Sequence, residues 1–248
     1  MCYGDDAVPP LPPVRGGATD HGDLVLRSAD GTEFAASYAH PDQPSGRGVV
    51  VLPDVRGLHP FYTDLVRRFA ETGLHSVGID YFGRTAGLGP RGEDFAFREH
   101  VEQMHLARTA DDVGAAVAWL RDLPGTGVRS VFTVGFCLGG AISWAQSSIG
   151  HGLSGCVGFY GQPARVTDRV PKMQAPLLLL AAGQDFTPVE EVERFAEQVR
   201  AAGVEAELHV YPDAPHSFFD RSFADHQEAC ADSWRRILAF VDRHAANR

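Results

Sequence analysis

The sequence predicts one α/β domain with a mostly parallel sheet and helices on both faces. Three observations lead there. Strand-like apolar runs alternate with helical patterns along most of the 248 residues, the order that repeated βα units produce. The run Leu177-Leu178-Leu179-Leu180-Ala181-Ala182 is apolar without interruption, as a strand buried on both faces is. A β-branched stretch, Ser130-Val131-Phe132-Thr133-Val134, ends at Gly135-Phe136-Cys137-Leu138-Gly139-Gly140 and gives way at once to the helical pattern Ala141-Ile142-Ser143-Trp144-Ala145.

The elements follow in order. Residues 1–20 hold a Pro/Gly-rich stretch at 9–17 and read as a flexible N-terminal leader, so the domain is assigned to 21–248. Leu24-Val25-Leu26-Arg27 and Glu33-Phe34-Ala35-Ala36-Ser37-Tyr38 flank Asp30-Gly31 as a hairpin. Val49-Val50-Val51-Leu52 is a strand, 62–71 a helix ending near Gly73, and Val77-Gly78-Ile79-Asp80 the next strand. A glycine-rich loop over 82–92 leads to one long helix over 101–121. After the cysteine turn come strands at 155–160 and 177–182. A helix opened by Thr187-Pro188-Val189-Glu190 follows, with capping-box spacing and proline at its first position. A strand over 205–211 and an amphipathic helix over 223–243 complete the chain.

Composition narrows the function. With 22 basic and 32 acidic residues the net charge is −10, and no basic block occurs. Nucleic acid is therefore an unsuitable partner, and a small molecule is the expected one. No apolar run spans a bilayer, and the acidic N-terminal residues do not read as a secretory signal. Cys2, Cys137, Cys156 and Cys230 are widely spaced, which suits cytoplasmic thiols better than a disulfide framework or a zinc site. His209, His216 and His226 make no familiar metal-ligand spacing. No metal and no cofactor are expected. Monomer and small homo-oligomer both remain open.

The Gly-x-Cys-x-Gly turn between strand and helix has the form of a nucleophile elbow, with cysteine in the usual place of serine. Such a turn exposes its central side chain, and the helix N-terminus behind it favours a thiolate and a nearby oxyanion. Two further strand ends carry chemistry. One leads into Gly183-Gln184-Asp185-Phe186-Thr187-Pro188, the other into Pro212-Asp213-Ala214-Pro215-His216-Ser217-Phe218. Nucleophile, acid, histidine is the order of a triad on a hydrolase sheet. Cys137 would attack, His216 would shuttle the proton, and Asp185 would orient the imidazole. Leu138 N–H and Val55 N–H would form the oxyanion hole.

Together the Gly-Phe-Cys-Leu-Gly-Gly, Gly-Gln-Asp-Phe-Thr-Pro and Tyr-Pro-Asp-Ala-Pro-His-Ser-Phe segments resemble the dienelactone hydrolase (carboxymethylenebutenolidase) family. The resemblance implies an α/β-hydrolase fold and a cofactor-free cysteine hydrolase that opens lactones or cleaves small activated esters. It implies thiol control by an acid after the third strand, where Asp54 stands in place of the family's glutamate. It implies arginines that hold a substrate carboxylate. Arg84 matches one of them. The second position falls on Asp220, with Arg221 one residue further, so either Arg221 takes the role or the clamp is incomplete. Tyr160 matches an aromatic at the pocket edge, and Phe82 and Phe218 would complete an apolar wall, with core packing the competing use of all three.

Two readings from other classes stand beside this one. Fold alone permits a catalytically inactive small-molecule binding module. Cys137 alone permits a thiol redox sensor, although no resolving cysteine lies near it in sequence.

Overall fold

A computed structural model describes residues 7–220 and 224–246. Its centre is an eight-stranded sheet in the order β1-β2-β4-β3-β5-β6-β7-β8. The strands are β1 (Ala18–Arg27), β2 (Glu33–Pro41), β3 (Arg47–Leu52), β4 (His75–Ile79), β5 (Ser130–Phe136), β6 (Gly155–Phe159), β7 (Leu177–Gln184) and β8 (Ala206–Pro215). β1 pairs antiparallel with β2, and β2 with β4; every other pairing is parallel. The helices are α1 (Pro60–Glu71), α2 (Gly83–Ala86), α3 (Phe97–Glu102), α4 (Leu106–Arg121), α5 (Leu138–Gln146), α6 (Val189–Ala201) and α7 (Gln227–His244).

The unbroken apolar strands supply both faces of the sheet. Val49, Val51, Phe132, Val134, Leu178 and Leu180 point to the side covered by α1 and α7, among Phe61, Phe69, Trp234 and Phe240. Their sequence neighbours Val50, Leu52 and Val131 face α4 and α5, and Leu177 and Leu179 face α5 and α6. Alternation along each strand thus feeds two cores at once. All parallel strands end on the same side, where their connecting loops gather.

Three expectations are corrected. The helix expected over 101–121 is two helices. Gln103 closes α3, Met104 N–H bonds back to Val101, and His105 is extended (φ −118°, ψ 119°) before α4 begins. The helix after Asp185 starts at Val189, with Pro188 extended as its N-cap, because the Asp185 carboxylate accepts the Thr187 N–H at 3.3 Å and holds 185–187 as a turn. The leader is not detached over its described part. Pro9, Pro10 and Pro12 are buried, Trp234 Nε1 donates to the Pro10 carbonyl at 3.1 Å, and β1 already begins at Ala18. Among the described residues, no helix is long and apolar enough to cross a membrane.

One packing feature makes stability pH-dependent. Ala39 pairs with Ser76 across β2 and β4, so His40 and His75 meet cross-strand, with their Nδ1 atoms 3.0 Å apart. Trp119 stacks on His40 at 5.8 Å, Tyr38 lies 5.1 Å from it, and Asp20 is the nearby charge. At that separation one nitrogen donates and the other accepts, so the accepting ring is neutral. Burial, then the facing His40, pushes His75 down to about 4 from 6.5; burial also lowers His40. Below 6.5 the unfolded chain binds protons that the folded chain refuses, so stability is full above that pH and falls as pH drops towards about 4. Thermal melts of wild type and His75→Phe across this window should show a shallower fall of Tm in the variant.

Candidate active site

The site is built around one strained residue. Cys137, between β5 and α5, has φ 54° and ψ −114°, a conformation that costs on the order of 1–3 kcal/mol for a side-chain-bearing residue. The flanking glycines make it possible. A Cβ on Gly135 would overlap the Gly139 carbonyl, one on Gly139 would overlap the Leu52 and Pro53 carbonyls, and one on Gly140 would overlap the Phe159 carbonyl. The elbow is therefore pressed directly against the ends of β3 and β6. Cys137 N–H donates to Phe159 O at 3.1 Å, and its carbonyl accepts from Gly140 N–H at 3.0 Å. Leu138 opens α5, so its N–H lies among the first-turn donors that a helix leaves for other partners.

The loop after β3 is fixed from two sides. Besides the contact with Gly139, the Tyr81 hydroxyl donates to the carbonyls of Pro53 and Asp54, the latter at 2.6 Å. The Asp54 carboxylate accepts Arg56 N–H at 2.9 Å, forming a side-chain turn around Val55. Gly57 (φ 74°) closes the loop above Asp80, whose carboxylate forms a buried ion pair with Arg91 at 2.7 Å. Asp54, Arg56 and Asp80 are all buried.

Asp185 at the end of β7 and His216 just after β8 meet. His216 Nδ1 lies 2.9 and 3.0 Å from the two Asp185 oxygens, with the carboxylate only 3 % exposed and the imidazole 18 %. The pairing leaves Nε2 for proton transfer. Ser217 (φ 63°) turns the chain directly after the histidine. Tyr160 (φ 36°) links this pair to the elbow. It follows the Phe159 carbonyl that holds Cys137, and its ring sits 4.9 Å from that of His216. Burial and the charges of Asp220, Cys137 and Asp54 hold its hydroxyl well above the ordinary pKa. Burial, Asp54 and Cys137 do the same to Tyr81. Both tyrosines thus lie within electrostatic reach of the thiol.

Other expected site residues fall elsewhere. Arg84, expected in the anion clamp, has its guanidinium paired with Asp30 and with Asp112 at 2.7 Å, and it also donates to Thr32. Phe82 and Phe218 are fully buried, so neither forms an open pocket wall. Phe82 packs on Tyr81 and Phe95, and Phe218 backs Tyr160 and Tyr211. Arg221 lies outside the described residues. Asp220, at the place of the second arginine, is buried and accepts the Tyr160 hydroxyl at 3.2 Å. The reading of the sequence missed Tyr81 as the anchor of the 53–55 loop. It also missed Phe186, which covers His216 at 4.4 Å with 64 % exposure. No group of three or more potential metal ligands occurs among the described residues.

A positive-φ elbow at the head of a helix, with an Asp–His pair at neighbouring strand ends of a mostly parallel sheet, defines an α/β-hydrolase. The model of the dienelactone hydrolase family matches residues 34–245, and the chain belongs to that family of hydrolases. It is 29% identical over 238 residues to a carboxymethylenebutenolidase homologue of Salmonella typhi, covering 89% of this chain and 86% of that one. It is 27% identical over 259 residues to the carboxymethylenebutenolidase of Rhodococcus opacus, covering 98% and 97%. The crystal structure of a dienelactone hydrolase homologue from Klebsiella pneumoniae superposes with a TM-score of 0.74 at 26% identity, over 90% of this chain and 98% of that one.

The Arg84 pairing has a measurable consequence. Arg84→Ala leaves the buried Asp112 carboxylate with its Ser28 hydrogen bond but without its cation. Denaturant titration should show a loss of about 1–3 kcal/mol, while KM for a carboxylate-bearing ester stays unchanged. A raised KM for that ester alone would return Arg84 to the binding site.

Proposed function

We propose that the protein is a cysteine hydrolase that opens lactones or cleaves small activated esters through an acyl-thioester on Cys137. The observation that carries this reading is the Asp185–His216 pair, assembled at the sheet end where the elbow holds Cys137 at φ 54°. His216 Nε2 takes the thiol proton, and the thiolate attacks the substrate carbonyl carbon. The oxyanion is stabilised by Leu138 N–H and Val55 N–H, each such donor supplying on the order of 10²–10³ in rate. Collapse breaks the C–O bond, and the leaving oxygen takes the proton from His216. In a lactone that oxygen remains part of the same molecule. Water then attacks the thioester carbonyl, gives its proton to His216, and releases the acid and the thiol.

Asp185 orients the imidazole and stabilises its charged form. Asp54 is the candidate for control of the thiol. It is buried and contributes to the raised pKa of both tyrosines that also feel Cys137. Cys156 and Cys230 have no comparable setting. Burial pushes each thiol up to about 12, so neither offers a ready thiolate. The described cysteines are thiols, which suits a cytoplasmic setting.

The test is steady-state hydrolysis of p-nitrophenyl acetate and of a dienelactone by wild type, Cys137→Ala and His216→Asn. Turnover in wild type should fall by at least about 10³-fold in either variant. Turnover that survives in Cys137→Ala removes the thiol from the mechanism.

A further inference from the structure

The nucleophile's neighbour is also the wall of a cavity. Leu138, whose N–H is the proposed oxyanion donor, lines a cavity of about 110 Å³ together with Ile142 one turn further along α5. Val101 and Met104 come from the end of α3 and the break after it, Leu106 from the start of α4, and Val166 from the turn after β6. Larger clefts, of about 700 and 590 Å³, are lined by residues other than Gly135 to Gly140. One of about 590 Å³ contains Arg47 and Thr126, at the opposite end of β3 from the Pro53–Val55 loop.

Resting on the acyl-transfer reading above, we infer that this cavity receives the acyl chain of the substrate and selects a short, uncharged aliphatic arm. Position gives the first reason. A carbonyl whose oxygen points at Leu138 N–H has its acyl substituent within reach of the Leu138 side chain. Size gives the second. The cavity is smaller than the ~150 Å³ that accommodates benzene, so it takes a chain of roughly three or four carbons.

Charge gives the third reason. The aliphatic side chains offer no partner to a carboxylate, and the Thr109 hydroxyl is directed at His105 O at 3.4 Å. Arg165 stands at the rim, but it is exposed and its Nε donates to Gln162 Oε1 at 2.8 Å. An ion pair with so exposed a side chain contributes little. Asp220 and Asp54 are buried carboxylates near Tyr160. Arg84 is turned to Asp30 and Asp112 and does not line this cavity.

The experiment compares kcat/KM for p-nitrophenyl acetate, butyrate, octanoate and the succinate monoester. It uses wild type, Met104→Trp, which fills the cavity from its partly exposed side, and Met104→Ala, which enlarges it. Wild type should favour butyrate over acetate, and butyrate over the succinate monoester, each by roughly tenfold or more. Met104→Trp should bring the butyrate-to-acetate ratio close to one, and Met104→Ala should raise octanoate relative to butyrate. Identical chain-length ratios in wild type and both variants would overturn the proposal, as would a succinate monoester preferred to butyrate. If Met104→Trp fails to fold, the octanoate shift in Met104→Ala decides. Cys137→Ala, run alongside, tests the nucleophile separately: its residual turnover bears on the thioester, while the ratios bear on the cavity.

Discussion

The whole site depends on the close approach of backbone at the elbow. Cys137 takes a left-handed conformation because the chain must turn from β5 into α5 within one residue. That turn is held only if Gly135, Gly139 and Gly140 let carbonyls of α5, β3 and β6 come where a Cβ would stand. One steric requirement therefore fixes three things together. It aims the thiol, opens the helix N-terminus behind it, and brings the end of β3 and Pro53 against the elbow. The strain of one residue, on the order of 1–3 kcal/mol, is small beside the packing of two apolar cores against the sheet.

From that centre the electrostatics take an individual form. Asp54 and Asp220 are buried, the first tied into a turn with the buried Arg56 and the second to the Tyr160 hydroxyl. Tyr81 and Tyr160 act as hinges between elements. The first holds the loop after β3 and the second joins the Cys137 elbow to His216. The aliphatic cavity beside Leu138 is where the proposed uncharged arm of the substrate would lie.

Most of the fold was legible because it is written in local pattern. Strands buried on both faces give unbroken apolar runs, and strand ends carrying Cys137, Asp185 and His216 stand out in chain order. The α3–α4 break was not legible, because no proline or glycine marks the gap between Glu102 and Leu106. The pairing of Arg84 was not legible for a different reason. Its partners Asp30 and Asp112 lie 54 and 28 residues away, and a pairing made only by the fold leaves no local trace. Phe82 and Phe218 sit beside site residues in sequence but turn inward, a direction that aromatic character alone does not reveal.

The central claim is that the acyl group passes through the sulfur of Cys137. The most direct measurement is acid quenching of p-nitrophenyl butyrate turnover, followed by intact-mass and peptide mass spectrometry. The account predicts one added acyl group on the peptide containing Cys137, removed by hydroxylamine as a thioester is. Full turnover with the label on another residue, or with Cys137 blocked by alkylation, would contradict it.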